Sequence, residues 1–308
     1  MTQPNQSQLS DEWADSQIEV DGTHGCLRSF AALKAQHSHL KLILSIGGGG
    51  KASEPFAAVA SDPAARERFA STARLLVNQF GFNGIDVDWE HPSDPGQGES
   101  YIHLLAAIRK YLPSTQYIVS SALPAGEWAL RNINLAVAQN YLDLINLMAY
   151  DFSGPWVNKS GHHAQLYSPR RPHNDAASIS CQSAVSYLRD HGVPAKKILL
   201  GVPVYGRSFL GANGVGQNFG GQGGEEGTFE YKDLPRPGTN ESVDESVGAA
   251  FCVGGDGGFV SYDNPRSVKL KATFAKDKGL GGLFYWTGTA DVKGPRSLIE
   301  TGFNALHS

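Results

Sequence analysis

The chain has 308 residues, 41% of them hydrophobic and 18% charged, with a formal net charge of −4 at pH 7. That apolar content is enough for one large α/β domain or two smaller ones and excludes a disordered chain. The mild acidity, without any run of Lys or Arg, speaks against nucleic acid and anionic membranes as partners, and no apolar stretch reaches membrane-spanning length. The start, Met-Thr-Gln-Pro-Asn-Gln-Ser-Gln, has no hydrophobic region of a secretion signal, so the chain as written reads as cytoplasmic; it reads as secreted if its natural beginning lies further upstream. Cys26, Cys181 and Cys252 are odd in number and widely spaced, which gives neither a disulfide framework nor metal-ligand spacing.

In chain order, a helical pattern over about 26–36 precedes a strand at 41–46, whose core is the apolar run Leu42-Ile43-Leu44. Helix 63–80, strand 84–89, helix 99–111 and strand 117–122 follow. Then come strand 142–148, helix 175–191, strand 198–204, helix 264–278, strand 282–286 and helix 296–306. Such alternation predicts a parallel sheet with helical crossovers. Polar or Gly-rich residues follow the C-terminal end of nearly every strand, which is the habit of a (β/α)8 TIM barrel and not of a doubly wound sheet. Residues 208–262 break the rhythm. They are Gly-rich and carry β-like pieces such as Thr228-Phe229-Glu230-Tyr231. They read as a small α+β insertion before the last strand, with 1–207 and 263–308 as the TIM-barrel catalytic domain. Only six strands are found where a barrel needs eight, and the first sixteen residues are too polar to supply another. The expectation is a barrel lacking its first two strands, with open edges at 41–46 and 282–286 that invite self-association.

The most informative run is Phe82-Asn83-Gly84-Ile85-Asp86-Val87-Asp88-Trp89-Glu90. In a strand, side chains at i, i+2 and i+4 share a face, so Asp86, Asp88 and Glu90 line up while Val87 and Trp89 point the other way. Three carboxylates in a row repel, which raises the pKa of at least one member. A neutral carboxylic acid beside a charged one is what acid-assisted bond cleavage requires. The bland alternative is a row satisfied by Arg or backbone caps; a magnesium site is another, at about one chance in ten each.

Other motifs are weaker alone. Gly47–Gly50 fails the P-loop spacing, since Ser45 and Ala52 stand where Gly and Ser or Thr are needed, so the glycines read as room for something bulky near the backbone. Met148 and Tyr150 share a face at the end of a strand, beside Asp151, and Trp286 ends the last strand as a platform for the apolar face of a sugar. The ten histidines form no HxH or HExxH pattern; His162-His163 reads as a surface pair in a polar loop, and no metal or cofactor is expected.

Together these motifs resemble family 18 glycoside hydrolases, the chitinases. Residues 83–90 resemble the DxxDxDxE signature, with Asn83 in place of its first Asp. Ser45-Ile46-Gly47-Gly48 resembles SxGG, and Met148-Ala149-Tyr150-Asp151 resembles MxYD. Tyr205-Gly206-Arg207 and the Gly279-Leu280-Gly281-Gly282 run followed by Trp286 match in order, and Asp-Glu-Trp-Ala-Asp near the start looks like fungal-type members. The resemblance implies Glu90 as the acid that protonates the glycosidic oxygen and Asp88 as the group that orients the substrate's N-acetyl group. It implies that Tyr150 bonds that acetamido group with Asp151 close by, that Asp86 tunes Asp88, and that Ser45 supports the row. Trp286 would floor the cleavage point, Tyr205 and Arg207 would line the cleft, and Met148, Gly47, Gly48 and Trp89 would join the substrate-binding residues. The implied reaction is retaining, substrate-assisted hydrolysis of β-1,4 bonds in chitin or chito-oligosaccharides. The rivals are a non-catalytic chitin-binding lectin, which would typically lack the acid at 90, an inactive truncated barrel, and more distantly a magnesium-dependent hydrolase.

Overall fold

The computed structural model describes residue 7, residues 9–172 and residues 174–308. Residues 1–6 and 8, part of the polar start read above, and residue 173 lie outside the described residues. The chain forms two compact units, Met1–Leu123 with Trp128–Ile145, and Pro124–Glu127 with Asn146–Ser308.

The first unit is built on three parallel strands, β1 (Ile43–Gly47), β2 (Gly84–Asp88) and β3 (Ile118–Pro124). Helix α1 (Cys26–Gln36) precedes β1, α2 (Pro63–Phe80) leads into β2, and α3 (Pro95–Tyr111) joins β2 to β3. The local sequence explains these limits. Asp62 caps α2 by accepting from the Ala64 N–H, Pro63 takes the first helical position, and Gly81 ends the helix at φ +69°. Asp94 and Pro95 do the same for α3, which therefore starts before the expected residue 99. Gly84 is required by the register: a Cβ there would lie 1.7 Å from the Ile118 carbonyl oxygen. Ile85 and Val87 are wholly buried, and Trp89 is stacked on Phe56 with ring centroids 5.8 Å apart and set edge-on to Tyr101 at 6.2 Å. Among the described residues β1 is paired on one side only, with β2.

Strand β4 (Leu144–Met148) leads into the second unit. There α4 (Cys181–Asp190), opened by a Ser180 and Ser183 capping box, precedes β5 (Ile198–Pro203). The next strands, β6 (Tyr205–Phe209), β7 (Thr228–Glu230), β8 (Glu241–Asp244), β9 (Ala249–Val253) and β10 (Phe259–Tyr262), form a five-stranded antiparallel sheet in the order β8-β9-β10-β6-β7. Helix α5 (Pro265–Asp277) then leads to β11 (Gly282–Trp286), which pairs in parallel with β5, and α6 (Leu298–His307) closes the chain. Val202, Val204, Tyr231, Tyr262, Val268 and Leu298 are buried together in this unit's core.

The six barrel-type strands, β1 to β5 and β11, are the six expected, within two residues at each end. The antiparallel sheet begins at Tyr205, ahead of the expected border at 208, because β6 supplies one of its inner strands. Between 208 and 262 the described residues hold strands and one 3-10 turn, Tyr231–Asp233, and no α-helix.

Candidate active site

In the first unit the register of three strands assembles a hydrogen-bonded carboxylate. Ser45 stands opposite Asp86 across β1 and β2, and Ser120 stands opposite Asp86 across β2 and β3. Ser45 Oγ donates to Asp86 Oδ2 at 3.1 Å and Ser120 Oγ donates to Asp86 Oδ1 at 2.6 Å. Asp86 is thereby held with a donor on each oxygen. Asp88, two residues on, is treated differently: its Oδ1 is buried and has no hydrogen-bond partner among the described residues. Burial first, then the charges of Glu90 and Asp86, push its carboxyl up to about 7. A row of like charges predicts a raised member; at Asp88 burial contributes more than the like charges do.

Glu90 follows the strand tip. Its backbone N–H donates 2.7 Å to Ser53 Oγ, and Ser53 Oγ in turn donates 2.8 Å to the Gly48 carbonyl. His91 Nε2 lies 3.9 Å from Glu90 Oε2, and burial lowers the His91 pKa to about 4, so it stands there as a neutral ring. The glycine run serves this corner. A Cβ on Gly47 would meet the Asp88 carbonyl oxygen at 2.1 Å, Gly48 N–H donates to that same oxygen at 2.8 Å, and a Cβ on Gly49 would lie 3.8 Å from the Glu90 carboxylate. The bulky object near the backbone at Gly47 is thus the neighbouring strand itself.

The second unit centres on Asp151. It has φ +59°, a region that non-glycine residues rarely occupy. Arg207 grips it with two donors, Nε to Oδ1 at 2.8 Å and Nη2 to Oδ2 at 2.7 Å, and Tyr205 donates to Oδ1 at 2.8 Å. His163 Nδ1 lies 3.4 Å from Oδ1. Burial works to raise the Asp151 pKa, but the bonds from His163 and Arg207 and the Arg207 charge outweigh it and hold the carboxyl far below the usual carboxylate range. Tyr150 sits edge-on to Tyr205 with ring centroids at 6.1 Å and tilted against Phe284 at 6.1 Å. Gly201 makes room for it, since a Cβ there would lie 2.9 Å from the Tyr150 ring. Met148 and Tyr150 are both half-buried, in step with the alternation of β4. Arg207 also lies over the exposed Trp156 ring at 5.1 Å, and Trp286, at the end of β11, is 56% exposed.

Two expectations are corrected. Trp89 is 4% exposed and packed between Phe56 and Tyr101, so it belongs to the core and not to the substrate-binding residues. Strand alternation already pointed it away from the acids. His162 and His163 are buried, at 7% and 0% exposure, and not on the surface, because their loop is covered by the antiparallel sheet. Three contributors were not read from the sequence: Ser120, Ser53 and His163. Ser120 lies in an expected strand, and pairing that strand with the acidic one would have found it; the other two depend on long-range contacts. Among the described residues no three or more His, Cys, Asp or Glu side chains are grouped to hold a metal ion.

Residues 1–291 match the family described as glycosyl hydrolases family 18. Endochitinase 1 of Metarhizium robertsii is 39% identical over 310 residues, covering 96% of this chain and 72% of that protein. Chitinase ChiA74 from Bacillus thuringiensis has a TM-score of 0.87 at 27% identity; the match covers 98% of this chain but 58% of that one, so the chain spans somewhat over half its length. A plant class V chitinase mutant from Cycas revoluta, solved in complex with (GlcNAc)3, has a TM-score of 0.81 at 27% identity and covers 91% of this chain and 84% of that one. The fold class is the (β/α)8 TIM-barrel type of these proteins. The chain belongs to family 18 of the glycosyl hydrolases.

Proposed function

We propose that this family 18 glycoside hydrolase is a chitinase that cleaves β-1,4 bonds between N-acetylglucosamine residues by substrate-assisted, retaining catalysis. The observation that carries the reading is Asp88. It lies between Asp86 on the strand and Glu90 just past its tip, with its carboxyl raised to about 7 and a buried oxygen that no donor among the described residues satisfies. A buried acceptor without a partner is costly. The N–H of a substrate acetamido group supplies the missing donor, and the bond orients that group's carbonyl oxygen toward the anomeric carbon. Glu90 gives its proton to the glycosidic oxygen as that C–O bond breaks and the acetamido oxygen bonds to the anomeric carbon. Water then attacks the same carbon, the cyclic intermediate opens, and Glu90 takes the water's proton. Two inversions leave the configuration retained. Asp86, held by Ser45 and Ser120, is assigned to tune Asp88. Tyr150 and Asp151 are assigned to the acetamido group and the reacting sugar, Trp286 to the sugar's apolar face, and Tyr205, Arg207 and Met148 to the cleft lining.

The reading requires the N-acetyl group. Chitin oligomers are expected to be cut while fully deacetylated oligomers of equal length are not, and a thiazoline mimic of the cyclised intermediate is expected to inhibit. Comparable initial rates on the two oligomer series would refute the mechanism.

A further inference from the structure

His162 and His163 are adjacent and buried, and neither has a part in the catalytic steps proposed above. Their side chains part. His162 Nδ1 lies 3.1 Å from Ser261 Oγ and its Nε2 lies 3.7 Å from Asp244 Oδ2, with the ring against Phe251 and Phe259 at 5.9 and 5.6 Å. His163 turns to Asp151, its ring 5.2 Å from that of Tyr205. The backbone closes the loop between them and the site: Phe152 N–H donates to the His163 carbonyl at 3.0 Å, and His163 N–H donates to Ser261 Oγ at 3.3 Å.

We propose that His163 is a positioning residue for the hydrolysis: its Nδ1–H loads Asp151 Oδ1, with His162 anchoring the segment to the antiparallel sheet, so that Oδ2 is the oxygen left to receive the sugar. The proposal rests on the reading of Asp151 as a neighbour of the reacting sugar. Tyr205, Arg207 and His163 all address Oδ1, whereas among the described residues Oδ2 receives Arg207 Nη2 alone. A carboxylate oxygen has about two lone-pair sites, so Oδ1 is saturated and Oδ2 is not. The neutral ring suits this arrangement. Its single proton sits on the nitrogen that has an acceptor, and Nε2 has no hydrogen-bond partner among the described residues. Burial favours that neutral form. The strained backbone at Asp151 does not by itself fix the carboxylate's direction, so its side-chain partners must.

The test uses the full chain with a fluorogenic chitobioside. His163→Leu removes the donor; His163→Asn keeps an N–H where Nδ1 stood. A hydrogen bond to a charged group is worth roughly a tenfold effect or more. We expect His163→Leu to lower kcat about tenfold or more with KM changed less than about threefold, and His163→Asn to recover kcat to within about threefold of the native chain. The other titratable and charged groups facing His163 are Tyr205, Arg207 and, farther off, Asp263, and both variants leave them in place. Equal kcat in all three chains, or losses in both variants that follow their melting temperatures, would overturn the proposal. If His163→Leu does not fold, imidazole NMR of the native chain at pH 7 decides: a neutral ring with its proton on Nδ1, perturbed by Asp151→Asn, supports it, and a ring protonated on Nε2 instead overturns it. A native chain without turnover, or Asp151→Asn with native kcat, overturns the underlying reading and the proposal with it, whereas an Asp151→Asn loss beside an unaffected His163→Leu overturns the proposal alone.

Discussion

At the scale of single residues, the carboxylate row sorts into distinct states by its neighbours. Asp86 is satisfied by two serines and Asp88 is left short of a donor. The raised Asp88 pKa has a consequence for stability. Between its ordinary value of 3.8 and about 7, the folded chain holds a proton at Asp88 that the unfolded chain has released. The stability tied to this proton is therefore complete below pH 4 and lost as pH rises to about 7. Asp88→Asn keeps the site neutral at every pH. Its melting temperature is expected to exceed that of the native chain above pH 7, with the gap closing toward pH 4; a gap that does not change with pH would contradict the assignment. The row itself was legible in the sequence because a strand has a period of two. Ser120 was not assigned, because its role exists only through the pairing of two strands, and His163 was misread because a polar loop gives no sign of the sheet that buries it.

At the scale of elements, the pairing of β1 with β2 places the site. Gly47 faces Asp88 in the register, and its backbone is at φ +114°. Gly47→Ala would drive a Cβ to within 2.1 Å of the Asp88 carbonyl oxygen and strain the backbone besides. We expect it to cost at least about 1–3 kcal/mol in chemical denaturation. Gly49→Ala, whose Cβ would meet only the Glu90 carboxylate at 3.8 Å, is expected to cost less than about 0.5 kcal/mol. Equal costs would show that the close approach at Gly47 is not what demands glycine. Trp89 gives the complementary lesson. Its membership in a functional motif suggested a binding role, while strand alternation placed it opposite the acids, and alternation describes where it lies.

At the scale of the molecule, all six barrel-type strands were legible as short β-prone runs that alternate with helical patterns. The antiparallel sheet was less so. Its strands are three to five residues long and interrupted by Gly-rich segments, so only β-like fragments were legible, without their order or their start at Tyr205. The central claim is that this chain hydrolyses chitin-type bonds with Glu90 as the acid. It is tested most directly by turnover of a fluorogenic chitobioside by the native chain and by Glu90→Gln, with oligosaccharide binding measured calorimetrically on both. General acid catalysis contributes about 10²–10⁴ in rate. The expected result is turnover by the native chain, a loss of that order in Glu90→Gln, and binding retained. A native chain that binds without turning over, or a loss below tenfold in Glu90→Gln, would contradict it.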